Sequence, residues 1–369
     1  MTAVRPGHLP AGPAPDVPAP PAPRPAVPRV ARTPRRFRTG TTTAALAAAL
    51  ILSVAAAVTV GPADISVADA FGSILAHLGI GASPLSALQD GIIWELRLPR
   101  VLTAAAVGAG LAVSGAVMQA LTRNALADPY LLGLSSGASL GAVAVLLLGV
   151  QLLLPVAAFL GALAALAATL LLARLAGGLT PSRTVLAGVA VSALGSALTS
   201  LVIFWTATGD SYREILGWLL GSLSGTQWSS AGITGAALLL VGFPLLGAAR
   251  VLDGFAFGDD AAAALGLNVP AVRWSLLAAT ALLTGAMVSV SGSIGFIGLV
   301  FPHLVRLVTG PGHRALLPLS ALCGAVFLIW ADTAARFVFE PRELPVGVVA
   351  AVIGAPVFAA VLARRKGLA

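Results

Sequence analysis

Long apolar runs divide most of this chain, and they constrain its fold more than any other feature. Several reach about 20 residues, the length that an α-helix needs to cross roughly 30 Å of hydrocarbon. Charged residues make up only 10% of the 369 residues, against about 25% in a soluble protein, so a water-facing surface cannot be built. The runs are continuous rather than alternating, unlike the strands of a β-barrel. The sequence therefore predicts an all-α, polytopic membrane protein.

Ten spans follow from these runs, and the eighth looks too short to cross a membrane alone. Residues 62–97 are expected outside, with an amphipathic helix near Val67–Leu78, and the two tryptophans of residues 207–230 suit an interface. The predicted spans are Thr43–Val60, Val101–Leu121, Tyr130–Val150, Pro155–Leu175, Val185–Trp205, Ala231–Ala249, Trp274–Val290, Phe296–Val308, Leu316–Val338 and Val346–Ala363.

The basic residues set the predicted orientation. Ten spans put both termini on one side, together with seven arginines of the first 38 residues and ten later lysines and arginines, which are 17 of the 22. The positive-inside rule makes that side cytoplasmic. Most of the later basic residues lie singly at the ends of apolar runs, which argues against a nucleic-acid partner. The five outside are Arg97, Arg100, Arg213, Arg336 and Arg342.

Composition also divides the chain into two regions. Residues 1–40 are rich in Pro, Ala and Arg, and we expect a disordered cytoplasmic tail. A signal peptide is not expected, because about 40 polar residues precede the first apolar run. Residues 41–369 form the transmembrane domain, whose longest charged insertion is residues 250–273.

That insertion holds a short predicted helix, Phe257–Leu267, which begins at Asp259 or Asp260 and stops at Gly266. It is either a plain surface helix or a docking helix for a cytoplasmic protein. Lys366 is the only lysine, so a phosphate-binding loop of the GxxxxGK[ST] type is absent. We therefore expect no ATPase site, no catalytic residue and, without a Cys/His cluster, no metal site.

The arginines predicted on the outer side depart from the positive-inside rule and need an explanation. They could snorkel at span ends and pair with nearby glutamates such as Glu95, Glu214, Glu340 and Glu343, or they could form a docking face for an acidic partner. Asp332 is the acid predicted inside a span. Pairing with Arg336 one turn on is expected, and a proton relay is the alternative reading.

Four sequence blocks stand out in order along the chain: Arg97–Arg100 with Gln119, Arg123–Pro129 and Leu131–Ala138; Trp218–Gly225; Gly295–Arg306; and Glu343–Gly347 with Gly354–Pro356. Together they resemble the FecCD-type permeases of ABC importers for iron–siderophore complexes and vitamin B12. The similarity covers roughly residues 43–366, and Ala125 stands where the family usually has proline.

The resemblance implies a type II ABC importer permease of about ten helices, paired with a second permease chain that is identical or a paralogue. Two cytoplasmic ATPase subunits would carry ATP and Mg, with no cofactor in this chain. An external binding protein would dock on the arginines that match the family's receiving positions, Arg97, Arg100 and Arg336. The coupling loop would fall on Asp259, Asp260, Ala261, Ala262, Leu265 and Gly266.

The expected cargo is an iron(III)-siderophore, with cobalamin or haem as alternatives, carried across the bacterial cytoplasmic membrane. An ion-coupled secondary transporter that uses Asp332 is the rival interpretation. Small hydroxyl residues suit a weakly adherent pathway, and the predicted lining is Ser135, Ser136, Ser139, Ser192 and Ser196.

Overall fold

A computed structural model gives the fold and describes residues 2–3, 35–61, 63, 65–150, 153–178, 180–206, 209–338 and 342–365. Their regular structure is entirely helical, which confirms the predicted all-α class. The helices are α1 (Arg35–Thr59), α2 (Val67–His77), α3 (Ala87–Gly91), α4 (Leu98–Thr122), α5 (Leu134–Leu147), α6 (Leu154–Leu175), α7 (Pro181–Thr206), α8 (Gly209–Leu219), α9 (Trp228–Ala237), α10 (Phe243–Gly247), α11 (Ala249–Ala256), α12 (Asp259–Ala264), α13 (Val269–Ser291), α14 (Ile297–Thr309), α15 (His313–Phe337) and α16 (Val346–Arg365).

Ten apolar helical stretches correspond to the ten predicted spans. Three of them, α5, α14 and the apolar part of α16, are shorter than the others. In the described part of the chain, seven are long and apolar enough to cross a membrane: Gly40–Thr59, Ala87–Thr122, Leu154–Leu175, Pro181–Thr206, Trp228–Gly247, Val269–Ser291 and His313–Phe337.

Several predicted boundaries were wrong by a turn or more. Residues 35–40, assigned to the tail, form the start of α1, and the rest of that tail apart from residues 2–3 lies outside the described residues. The second span begins at Ala87, because a π-helical turn at Ile92–Arg97 joins α3 to α4 without a break. The third is shorter than predicted, because Gly133 adopts a left-handed φ of 82° and separates a 3₁₀ turn from α5.

Helix α4 is the centre of the bundle. It packs against α9, α13, α14 and α15, and nearly all of its residues are buried. Glycines permit this close packing: a Cβ on Gly108 would meet the carbonyl of Gly324 in α15, and a Cβ on Gly115 would meet the backbone of Gly298 in α14. Small residues at such crossings let membrane helices approach closely.

The outer helices expose apolar side chains. Helix α7 leaves Leu186, Leu194 and Phe204 exposed, and α16 leaves Val352 exposed. Contiguous apolar surface of this kind is unfavourable in water and normal against lipid or a second membrane chain. The chain is therefore a membrane protein, as its composition predicted.

Candidate functional site

A small exposed surface surrounds α12, within the insertion at residues 250–273. Gly258 precedes the helix with a φ of 108°, so the first turn holds Asp259 and Asp260, whereas the sequence had suggested one of these acids as the N-cap. Gly266 follows the helix with a φ of 82°, as expected for a helix stop. We call five of the exposed residues of this segment the α12 surface: Phe257, Asp260, Ala263, Ala264 and Leu265.

The α12 surface is apolar but rigidly held. The side chains of Phe257 and Leu265 are 83% and 70% exposed. Neither residue lies on an apolar span, so contact with lipid does not account for their exposure. Asp259 accepts a 2.6 Å hydrogen bond from Arg273 of α13, which fixes α12 against the bundle. Ala262 is buried beneath the helix. A presented helix with two exposed large apolar side chains and one acid is typical of a protein-docking element.

A second contact ties the same region to α15. The carboxylate of Asp253, in α11, accepts a 2.9 Å hydrogen bond from the backbone N–H of His313, the first residue of α15. The ring Nδ1 of His313 lies 2.7 Å from the same oxygen. An acid at a helix N-terminus satisfies an unpaired N–H group and suits the helix dipole. These contacts tie α11 to the start of α15.

A charge cluster lies at the opposite end of α15, and we use that name for Arg97, Arg100, Asp332, Arg336 and Glu343. Arg100 places both Nε and Nη2 within 2.9 Å of the carboxylate of Asp332. Its Nη1 donates to Glu343 at 2.9 Å. Sequence reasoning paired Asp332 with Arg336, which is present at 3.5 Å, but missed Arg100 as the closer partner.

The other two arginines of the cluster differ in role. Arg97 is buried, and its guanidinium donates to the carbonyls of Val58 and Thr59 at 3.2 and 3.0 Å and of Ala63 at 3.3 Å. Val58 and Thr59 end α1, so Arg97 caps that helix. Arg336 is partly exposed and donates to the hydroxyl of Thr333 at 3.3 Å.

The charge cluster borders a cavity of about 590 Å³. All of its members except Asp332 line the cavity. Three residues of the segment after α8 line the same cavity, namely Ser224, Gly225 and Thr226. Three arginines and Glu343 line the cavity beside small polar groups, and a guanidinium that faces it can bind a carboxylate by charge-assisted hydrogen bonds.

The predicted pathway serines separate into two groups. Ser136 and Ser139 are buried within the bundle, and Ser136 donates to the carbonyl of Gly133 at 3.0 Å. Ser135 lies 2.7 Å from Ser293, in the break between α13 and α14. Ser192 and Ser196 lie on α7, half-buried and exposed respectively.

Ser192 also lines a pocket of about 420 Å³ near the break between α13 and α14. Phe296, at the start of α14, holds a left-handed φ of 69°, which is strained for a bulky side chain. Gly354 of α16 packs on this phenylalanine and has no room for a Cβ. A strained residue in the segment between two apolar helices, beside a pocket, is typical of a functional site.

Asp128 and Tyr130 form the polar edge of that pocket. Asp128 accepts a 2.9 Å hydrogen bond from the backbone N–H of Tyr130, whose hydroxyl donates to the carbonyl of Ile294 at 3.0 Å. Burial raises the pKa of Asp128 to about 6, although the hydrogen bond from Tyr130 opposes this shift. Burial also raises the pKa of Tyr130.

The exposed α12 surface and the charge cluster lie at opposite ends of one apolar helical bundle, an arrangement that indicates a membrane permease. The FecCD transport family model matches residues 49–364. The chain therefore belongs to the FecCD transport family.

Similar proteins agree with this assignment. The vitamin B12 import system permease protein BtuC of Vibrio cholerae is 44% identical over 286 residues, which cover 77% of this chain and 86% of BtuC. The Fe(3+) dicitrate transport system permease protein FecD of Escherichia coli is 43% identical over 304 residues, covering 79% and 93%.

A solved structure also shares the fold. It is described as an inward-facing ABC transporter of the metal-chelate type, with a TM-score of 0.78 and 30% identity. The match covers 88% of this chain and 99% of the solved one. The type II importer permease architecture expected from the sequence is thus confirmed.

Sequence reasoning missed two features of the site. It did not single out Asp253 and His313, which are 60 residues apart and pair only through the fold. The available signal was a histidine at the first position of an apolar helix. It also treated Arg97 as equivalent to Arg100, because spacing does not reveal that the carbonyls at the end of α1 surround Arg97.

Proposed function

We propose that this chain is the permease subunit of an ABC importer that carries a metal chelate, with an iron(III)-siderophore as the expected cargo. The observation that carries the proposal is the α12 surface, an exposed apolar helix at the position of the family's coupling loop. Of the predicted coupling residues, the exposed Asp260, Leu265 and Gly266 would contact an ATPase subunit that binds ATP and Mg, and the partly exposed Asp259 and Ala261 would border that contact. Ala262 is buried and would support the helix from below. The names of BtuC and FecD support cargo of the metal-chelate class.

The proposed location is the bacterial cytoplasmic membrane, with both termini in the cytoplasm. The α12 surface then faces the cytoplasm, and the charge cluster faces outward toward a substrate-binding protein. A second permease chain would complete the pathway. Substrate would pass by alternating access, as closure of the ATPases moves α12 and, through Asp253 and His313, α15.

The geometry gives the rival, an ion-coupled carrier, little support. That mechanism needs an acid in the bundle that can bind and release an ion. Asp332 is buried and held by two arginines, so its carboxylate has compensating charge already in place. We therefore assign Asp332 to holding the charge cluster together.

Co-purification of the tagged chain in mild detergent tests the proposed ATPase contact. The variants Asp260→Arg and Leu265→Asp alter exposed side chains of the α12 surface, so the bundle should remain folded. Glu95→Arg is the matched control, since it reverses an exposed charge at the other end of the bundle. We expect wild type and Glu95→Arg to retain an ATPase and both α12 variants to lose it. A chain that purifies alone and transports under an ion gradient would contradict the proposal.

Uptake measurements test the cargo. Cells that depend on this chain should take up iron-55 as a ferric siderophore, and the Leu265→Asp variant should abolish that uptake. Radiolabelled cobalamin and ferric citrate are the comparison substrates. Uptake of cobalamin alone would agree with the importer proposal but would show that the cargo is cobalamin and not a ferric siderophore.

A further inference from the structure

The guanidinium of Arg100 contacts two acids that differ in their exposure to solvent. Nε and Nη2 contact Asp332, whose side chain is 2% exposed, while Nη1 contacts Glu343, whose side chain is 43% exposed. Both contacts are 2.9 Å long. The inner pair is buried, and breaking it would leave an uncompensated charge. The outer pair meets water, where an ion pair contributes little to stability.

Glu343 lies on a short non-helical segment that leads directly into α16. Residues 342–345 have no helical structure, and α16 begins at Val346. The backbone N–H of Leu344 donates to the carbonyl of Ala335 at 3.0 Å. Through Glu343 the segment also holds the exposed edge of Arg100. The Glu343 contact is therefore one of the ties that position the entry to α16.

The position that Glu343 occupies is the one an external carboxylate would need. Arg100 faces the 590 Å³ cavity, and Glu343 lines the same cavity. Because Asp332 holds the inner nitrogens, Nη1 is the nitrogen left for an incoming acid. Arg97 cannot take this part, since its guanidinium is turned to the carbonyls that end α1.

We propose that Glu343 is an internal substitute for a partner's carboxylate. An acidic side chain of the external binding protein displaces Glu343 from Nη1 of Arg100, and Asp332 keeps its two contacts. The displaced Glu343 releases residues 342–345, so docking outside loosens the segment that enters α16. This inference rests on the proposed importer function, and it makes Glu343 a positioning residue that acts through Arg100.

Two variants that each remove one negative charge distinguish a specific role of Glu343 from a general effect of charge on binding. Glu343→Gln removes the competitor, and Glu95→Gln removes an exposed acid near the same end of the bundle that is not among the partners of Arg100. The affinity of the purified binding protein of the same import system is measured for each variant in lipid nanodiscs. We expect Glu343→Gln to lower Kd about 2- to 5-fold relative to Glu95→Gln, the factor that corresponds to an exposed ion pair.

A spin label reports the release of the segment directly. Arg342→Cys is labelled in a Cys323→Ser background, since Cys323 is the single cysteine of the chain. We expect the label to become more mobile when the binding protein is added to wild type. In Glu343→Gln it should already be mobile beforehand and change little on binding.

Each outcome decides a different point. Binding with equal affinity for the two glutamine variants overturns the role of Glu343 and leaves the importer function in place. The same follows if, before the binding protein is added, the label is no more mobile in Glu343→Gln than in wild type. Absence of any binding to wild type, with the chain folded and monodisperse, overturns the proposed function and this inference with it.

Discussion

Arg97 and Arg100 are three residues apart, and their surroundings give them opposite roles. Arg97 points into the protein and caps α1, whereas Arg100 faces a cavity and holds two acids. Both belong to the block RLPR that resembles the family pattern. A sequence block therefore identifies a family position without stating which way each side chain turns.

Arg97→Gln should destabilise the isolated chain. The glutamine cannot reach all three carbonyls that Arg97 satisfies, and each charged hydrogen bond is worth about 1.5–3 kcal/mol. Thermal unfolding in detergent measures the loss. Arg342→Gln is the control, because Arg342 is exposed. Equal melting temperatures for the two variants would show that Arg97 does not stabilise α1.

Asp128→Asn should change how stability depends on pH. The pKa of Asp128 is raised to about 6 from 3.8, so the folded state keeps a proton over the window between these values. The contribution of the protonated Asp128 side chain to stability is fully present below that window and is lost as pH rises through 6. Asparagine carries no charge at any of these pH values, so the variant does not lose this stability. Asp128→Asn should therefore melt a few degrees above wild type at pH 8.

At pH 5 the difference between Asp128→Asn and wild type should be smaller. Asp260→Asn changes an exposed acid and serves as the control. Melting temperatures recorded at both pH values test the sign. A variant that is less stable than wild type at pH 8 would contradict the proposed burial cost.

Residue-level partners were the part of the site least accessible from sequence. The hydrogen bond from Arg100 to Asp332 joins positions 232 residues apart. Charge alone allowed Asp332 to pair with the nearest arginine in its own helix, Arg336, and that contact is present but longer. Local spacing predicts local pairs, whereas a bundle also brings distant helices together.

At the scale of elements, the crossing of α4 and α15 depends on backbone contact. Gly108→Ala should destabilise the bundle by about 1–3 kcal/mol, the usual cost of overpacking, because the new methyl group meets the carbonyl of Gly324. Thermal unfolding again provides the measurement.

Gly235→Ala is the matched control for this crossing. Gly235 lies inside α9, and no atom comes within 4 Å of the position that its Cβ would take. This variant should be neutral or slightly more stable, since alanine favours a helix over glycine. If Gly108→Ala were equally harmless, the close approach of α4 and α15 would not be a determinant of stability.

The helices themselves were well predicted, because hydropathy reflects the solvent that surrounds a segment and does not depend on which helix packs against it. Each long apolar run became a helix, and even the short eighth span is observed as α14, with 13 residues. The errors fell where backbone geometry overrides hydropathy. The π-helical turn at Ile92–Arg97 extended one span, and the left-handed Gly133 shortened another.

At the scale of the whole molecule, α7 carries a face that differs from ordinary lipid-facing surface. Ser192, Ser196 and Ser200 recur every fourth residue, so they share one side of the helix. Exposed leucines such as Leu194 flank them. A mixed face of this kind suits a second permease chain across a pathway better than hydrocarbon.

Cysteine cross-linking tests that arrangement. With Cys323→Ser as background, Ser196→Cys should give a covalent dimer with a bismaleimide in native membranes. Leu160→Cys, on an apolar exposed position of α6, should remain a monomer. Dimers from Leu160→Cys alone would place the second chain against α6 instead of α7.

Helix α15 is fixed at both ends, by Asp253 at His313 and by Arg100 at Asp332. One added residue between these points would turn the far end by about 100° and advance it by about 1.5 Å. Asp332 would then face away from Arg100 while His313 kept its place. The two contacts of α15 can therefore form together only with the present number of residues between His313 and Asp332, and a single insertion or deletion would break one of them.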